Sequence, residues 1–187
     1  MANEPLIKET LMSTTAEDIH VTSASLARRQ EKMEIDLDAA PKPIFYKLRV
    51  PLVKQGRTVD APLSEENMWI KVKSYASGGE NALHMHPYQD HTFILLQGAA
   101  KFYGPRGEER VLNKYDAIFL PAGSFYCFEA MSEENLILLR IGTKTAEQSD
   151  NPNYRVTIEG EYMDPKSYAN KDVEIIYDGD KVFGEPS

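Results

Sequence analysis

Between residues 44 and 142 the chain is built from short β-rich pieces, each closed within about ten residues by glycine, proline, asparagine or aspartate. Segments so short and so regularly interrupted close into a sandwich or barrel of antiparallel sheets. The pattern predicts strands over 44–53, 68–75, 82–86, 91–97, 100–103, 109–112, 117–120, 126–130 and 136–141. Gly104-Pro105-Arg106-Gly107 is a hairpin reversal between two of them. The fold class expected is all-β.

At 187 residues the chain suffices for one domain with its own core and is short for two. Residues 1–43 read as an arm: they are polar and end in Pro41-Lys42-Pro43. Within them Thr14-Thr15-Ala16-Glu17 has capping-box spacing, and Leu26 with Met33 would share a face of a helix ending near Glu34. Ile19, Val21 and Thr22 weaken the first half of that helix, because β-branched side chains lose rotamer freedom in it. Residues 143–187 form a C-terminal extension with strand-like pieces at 154–159 and 173–177, ahead of a turn at Asp178-Gly179-Asp180. They would extend a sheet edge or cross to a second subunit.

Charge narrows the function classes. Twenty-nine acidic residues against 21 basic ones leave a net −8, and no lysine or arginine stripe is present to neutralise a phosphate backbone. Nucleic acid is therefore not an expected partner. No run approaches the roughly 18 apolar residues of a membrane span, and the polar opening Met1-Ala2-Asn3-Glu4-Pro5 lacks the parts of a secretory leader. The expected setting is the cytoplasm, with a small molecule rather than a membrane as partner. Cys127 is the single cysteine, which rules out an internal disulfide and suits a small buried hydrophobe.

Three of the four histidines fall within eight residues, as His84-Met85-His86-Pro87-Tyr88-Gln89-Asp90-His91. The fourth, His20, is remote from them in sequence. His84 and His86 are two apart, so on a strand they share a face. His91 needs a reversal at Pro87-Tyr88-Gln89-Asp90 to join them, and proline with an Asx residue supplies one. A single strand histidine is more often a hydrogen-bonded core group. Three beside an aligning turn point to metal ligation, because neutral imidazole is the commonest metal ligand near neutral pH.

Gly78-x5-His84-x-His86-x4-His91-x6-Gly98 resembles the first conserved motif of the cupin superfamily, where glutamate usually stands at the place of His91. Tyr115-Asp116-x4-Pro121-x-Gly123-x2-Tyr126 resembles the second, which normally opens with glycine and has histidine where Tyr126 stands. The resemblance covers roughly residues 66–142. It implies a double-stranded β-helix, or jelly-roll, barrel over 44–142, often dimeric, with a metal inside and substrate entering at the mouth. By position the ligands would be His84, His86 and His91, with Tyr126 at the fourth place. Asp90 and Gln89 are alternative ligands if the loop register shifts by one residue.

The two departures from the usual motifs have chemical consequences. Three neutral imidazoles leave a divalent ion its full charge, which makes it a stronger Lewis acid and favours anionic substrates. Tyr126 would bind the metal as phenolate, act as a general acid while protonated, or simply fill the barrel. If His91 points inward, Phe93, Leu95 and Gln97 share its face; with Tyr126 goes Phe128. Arg140 would pair with a substrate carboxylate, although a strand-end arginine is more ordinarily exposed.

The leading expectation is a mononuclear iron(II) dioxygenase acting on a small chelating compound with an enolic, phenolic or carboxylate group. A second is an oxygen-independent lyase, decarboxylase or isomerase using zinc, manganese or nickel as a Lewis acid, with Tyr126 moving the proton. A third is a non-catalytic small-molecule-binding cupin. A homodimer is expected from the resemblance.

Overall fold

The computed structural model describes residues 36, 38–76, 78–144, 154–164, 166 and 172–185. The chain divides into two compact units, Met1–Ile44 and Phe45–Ser187. The helix expected between residues 14 and 34, and His20 with it, lie outside the described residues. The described residues of the 143–187 extension fall within the second unit. Among the described residues no helix is long and apolar enough to cross a membrane.

The strands of the second unit are β1 (Val50–Gln55), β2 (Arg57–Ser64), β3 (Met68–Tyr75), β4 (His91–Gln97), β5 (Ala100–Tyr103), β6 (Glu109–Leu112), β7 (Ala117–Leu120), β8 (Cys127–Ala130), β9 (Leu136–Thr143) and β10 (Ile176–Phe183). One sheet has the order β2-β3-β9-β4-β7 and a second the order β6-β5-β8. Both are antiparallel throughout. The smaller sheet continues past β8 through isolated bridges: His84 pairs with Tyr126, Met85 with Val156, and Val156 with Tyr162. The expected strand at 82–86 is thus reduced to two bridged residues. The C-terminal segment extends the sheet edge.

The two sheets close on a shared core. Tyr75, Phe93, Leu95, Leu136 and Leu138 come from the larger sheet, and Ala100, Phe102, Tyr126 and Phe128 from the smaller. This is the all-β two-sheet barrel that the short strands require. The β1–β10 ribbon covers the outer face of the larger sheet, burying Val50, Val72 and Ile137 against Leu139 and Phe183. The central strands β3 and β9 are therefore covered on both faces.

That double cover decides how β3 is read. In Met68-Trp-Ile-Lys-Val-Lys-Ser-Tyr75, alternation sends Ile70 and Val72 one way and Trp69, Lys71, Lys73 and Tyr75 the other. Val72 packs beneath the ribbon, while Tyr75 belongs to the barrel core, so Lys71 and Lys73 project inward beside it. Their directly paired neighbours on β9 are Arg140 and Leu138.

Two local irregularities hid structure from the sequence pattern. β2 carries Pro62, which lacks a ladder donor, and the strand accommodates it by lying at the sheet edge with a register shift between Asp60 and Leu63. β10 runs through Asp178-Gly179-Asp180 instead of ending there. Its pairing jumps from Tyr177 to Val182 between Val53 and Pro51, and Lys181 Nζ bonds Asp178 Oδ2 at 2.8 Å across the bulge.

The turn before β7 carries a different strain. Tyr115 has φ +76° and is exposed, in the left-handed region where glycine is at home. It is held there by Tyr115 N–H donating to Leu95 O at 2.8 Å and Asp116 N–H donating to Asn113 O at 2.9 Å. Asn113 N–H adds a bond to Asp116 Oδ2 at 2.8 Å. Cys127, at the start of β8, is half-buried.

Candidate functional site

His84 is the bridge partner of Tyr126, so both side chains leave the smaller sheet on one side, and His86, two residues on, joins them. Pro87 and Tyr88 form the reversal that delivers His91 to the first position of β4. There His91 pairs with Leu120 of β7 and Gly142 of β9. Asp90 clamps the loop: its Oδ1 accepts from Ala122 N–H at 2.8 Å, and its own N–H donates to Thr143 Oγ1 at 3.1 Å. That carboxylate serves the Pro121-x-Gly123 turn and does not face the imidazoles.

The three rings gather. Centroids are 5.1 Å apart for His84 and His86, 4.5 Å for His86 and His91, and 4.8 Å for His84 and Tyr126. Trp69 meets His91 edge-on at 5.3 Å. Gly142 makes room for that contact, since a Cβ at this position would lie 2.2 Å from Trp69 Cζ2.

Hydrogen bonds then separate the imidazoles. His84 Nδ1 lies 2.7 Å from Ala82 O, and His86 Nδ1 lies 3.0 Å from Tyr154 O. A carbonyl only accepts, so each Nδ1 carries the proton and each Nε2 keeps its lone pair. Both Nε2 atoms are buried without a hydrogen-bond partner. His91 differs: its Nδ1 accepts from Arg140 Nη2 at 3.3 Å and its Nε2 donates to Gln89 Oε1 at 2.9 Å. A guanidinium can only donate, which fixes that tautomer and leaves His91 no lone pair to offer.

All three rings are neutral. Burial, opposed by the bond to Ala82 and reinforced by nearby Arg155, lowers His84 to about 3. Burial and the Arg140 guanidinium lower His91 to about 2. Burial first, then His91 and Arg140, pushes His86 far below the ordinary imidazole range. Burial also raises the phenols of Tyr126 and Tyr75, opposed by Arg140, so both stay protonated near neutral pH.

Around the imidazoles the charge is uniformly positive. Arg140 is 6 % exposed and Arg155 5 %. The Arg140 guanidinium sits 4.7 Å over the Phe93 ring and 5.4 Å from that of Trp69. Arg155 adjoins Val156, the bridge partner of Met85, so alternation puts it on the same face as His84 and His86. Lys73 is driven well below its ordinary value by burial, then by Arg140 and the other cations. No described carboxylate pairs with Arg140 or Arg155.

The sequence-predicted lining separates accordingly. Phe93 and Phe128 stand in the core with ring centroids 6.2 Å apart. Arg140 is at the site rather than on the surface. Gln97 is not brought in: a register shift between Leu95 and Gln97 on β4 turns it to Asn135 O, 3.1 Å away, beside a cleft lined also by Lys54 and Glu80. Sequence reasoning missed Arg155, Lys71, Lys73 and Trp69. Lys71 and Lys73 alternate with isoleucine and valine as the polar half of a strand would, so neither they nor Arg155 gave a signal that could have found them.

As a test of a metal ion, two imidazoles fit and the third does not. His84 and His86 present bare, buried Nε2 atoms, whereas His91 is committed on both sides. Among the described residues no three His, Cys, Asp or Glu side chains are arranged to hold a metal.

Residues 72–142 match the family model described as the cupin domain. Among solved structures, the cupin domain of Schizosaccharomyces pombe Cnp3 shares 16 % identity over 54 % of this chain and 73 % of that one, with a TM-score of 0.46. KdgF from a Halomonas species shares 18 % identity over 50 % of this chain and 84 % of that one, TM-score 0.44. DMSP lyase DddQ from Ruegeria pomeroyi shares 18 % over 57 % and 53 %, TM-score 0.45. No curated protein matches the chain.

Proposed function

The chain carries a cupin domain over residues 72–142, and from that premise we propose an enzyme that holds one divalent metal ion at His84 and His86 and acts on a small chelating compound with an enolic, phenolic or carboxylate group. The observation that carries this reading is the pair of buried, unpartnered Nε2 atoms with tautomers fixed by Ala82 O and Tyr154 O. A carbonyl holding the far nitrogen of a ligating imidazole is how such a ligand is oriented and made more basic. Burying two lone pairs with nothing to receive costs free energy, and an electrophile restores it.

Bound there, the ion would supply Lewis acidity and, as iron(II), redox chemistry with dioxygen. Iron(II) and oxidative cleavage form the first reading of the reaction, because neutral nitrogen donors leave room for a chelating substrate. The chain's own residues orient that substrate. Arg140 and the other interior cations draw its negative end inward, and Phe93, Trp69 and Phe128 exclude water.

A second reading has one observation of its own in favour. Tyr126 is buried beside His84 with its phenol held protonated, the state a general acid needs to return a proton to an enolate carbon. That reading is oxygen-independent isomerisation, decarboxylation or elimination.

Cobalt(II) titration of the chelator-treated protein, followed by visible absorption, tests the metal. One equivalent is expected to bind, and His84→Ala and His86→Ala each to abolish tight binding. Absence of saturable binding in the parent protein refutes the proposal. Oxygen consumption by the iron(II)-loaded protein with an enolisable and phenolic panel separates the two reactions: turnover without oxygen, lost in Tyr126→Phe, selects the second.

A further inference from the structure

The barrel interior holds more positive charge than a metal-binding pair of imidazoles requires, and no described side chain neutralises it. Arg140 enters from β9 and Arg155 from the segment bridged to Met85, so the two guanidinium groups reach the interior from opposite sheets. Each is at least 94 % buried. Nε of both, and Nη1 of Arg155, are buried with no hydrogen-bond partner. Arg140 spends Nη2 on the neutral His91, an acceptor without charge. Lys71 and Lys73 lie on the same inward face of β3, with Lys71 cross-paired to Arg140.

A buried guanidinium without a counter-charge is costly, and leaving its N–H groups unmade adds to that cost. Proteins resolve the conflict with a carboxylate. Two acidic groups near the histidine segment in sequence make other bonds: Asp90 bonds Ala122, and Glu80 Oε1 accepts from Ala130 N–H. The hydrocarbon and aromatic faces around Arg140, from Phe93 and Trp69, further strengthen any charge pairing made there by lowering the local dielectric.

We propose that the interior is a dianion site, in which Arg140 and Arg155 each take one negatively charged oxygen group of a small ligand, a dicarboxylate or a phosphate, from opposite walls of the barrel. Arg155 would donate a charge-assisted hydrogen bond to a carboxylate or phosphate oxygen from its unpartnered Nε or Nη1, which lie on different edges of the guanidinium. The inference deepens the substrate class of the function proposed above and rests on the same site, but the arginines bind without the metal. It restricts the substrate from any small chelator to one carrying two negative charges.

Calorimetric titration of the chelator-treated full chain separates the two claims. The probes are succinate, inorganic phosphate, acetate and the uncharged succinamide. Succinate or phosphate is expected to bind at least about tenfold tighter than acetate, the worth of one further charged hydrogen bond, with succinamide silent. Arg140→Gln and Arg155→Gln should each reduce that affinity about tenfold or more, and Arg140→Lys should restore part of it. Whichever of succinate and phosphate binds tighter identifies the ligand's acid group.

A dianion binding no tighter than acetate, or binding undiminished in both glutamine variants, overturns the proposal, and the parent-protein panel alone is decisive even if a variant fails to fold. Dianion binding that survives His84→Ala in metal-free protein shows the arginines act independently. If cobalt fails to bind while succinate binds, the metal reading falls and this one stands; if cobalt binds and no dianion does, the reverse holds.

Discussion

The barrel interior has two ends built from the same strands. At one end Tyr75, Leu95, Phe102, Phe128, Leu136 and Leu138 fill the space between the sheets with apolar surface. At the other, two to four residues along β3, β4 and β9, the inward positions become Lys73, His91 and Arg140, faced by His84, His86 and Arg155. Neither end is exposed, so the contrast is not one of core and surface. One end is buried because burial stabilises it, and the other is buried at a cost that, on the function proposed above, a ligand offsets.

The sharpest way to break this comparison is pH. The three site imidazoles stay neutral in the folded chain, with His84 lowered to about 3 and His91 to about 2, whereas in the unfolded chain each takes up a proton below about 6.5. Their folded values are depressed, so the unfolded state binds more protons between those limits. Stability is full above about 6.5 and is lost as pH falls. At up to about 1.4 kcal/mol per ring per pH unit, the three together cost on the order of 5 kcal/mol between pH 7 and pH 5. Urea unfolding of chelator-treated protein at the two pH values checks it, and His84→Gln should flatten the slope by about one proton. A midpoint that does not move across this range would mean the rings titrate normally.

Substitution at the two ends should act with opposite signs. Leu95 is fully buried in the apolar end, and Leu95→Ala is expected to destabilise by about 3 kcal/mol through lost transfer energy and the cavity left behind. Lys73→Met keeps the length of the side chain and removes an inward-facing amine that lies 5.9 Å from the Tyr75 ring and whose charged neighbours are all cations. It is expected to stabilise the unliganded protein by about 1 kcal/mol. Denaturant midpoints of both variants decide it. Destabilisation of similar size in each would erase the distinction between the two ends.

What the sequence could show of these ends was unequal. Period-two apolar pieces and their Gly and Pro breaks revealed most strands of the barrel, because a strand with a buried face imposes that period on its own residues. Histidine crowding revealed the imidazoles because His84 and His86 lie two apart on one segment. The cationic wall was hidden by the same alternation rule. Lys71 and Lys73 follow the polar half of a half-buried strand, and only the β1–β10 ribbon, which pairs a strand just before β2 with one from the C-terminal part of the chain, makes the apolar half the outer one. Tautomers were beyond reach as well: that His91 is committed while His84 and His86 are free depends on Arg140, Gln89, Ala82 and Tyr154 O, contacts of fold and not of motif.

The smallest effect sharpens the comparison from outside the barrel. Tyr115 sits at φ +76°, and its N–H and the neighbouring Asp116 O bond the backbone of Leu95 at the apolar end. A non-glycine residue in that conformation costs about 1–2 kcal/mol, while glycine costs up to about 1 kcal/mol more unfolded-state entropy. Lys114 Nζ lies 4.9 Å over the Tyr115 ring, but both are on the surface and the contact contributes little. Tyr115→Gly is therefore expected to stabilise by about 0.5 kcal/mol, whereas Tyr115→Ala, which keeps the strained backbone and loses the ring, should not stabilise at all. Because the turn supports only the apolar end, succinate and cobalt affinities should be unchanged in both variants. Loss of stability in Tyr115→Gly would show that the exposed ring, and not the backbone, sets the conformation of this turn, and a shift in ligand affinity would show that the two ends of the barrel are mechanically coupled.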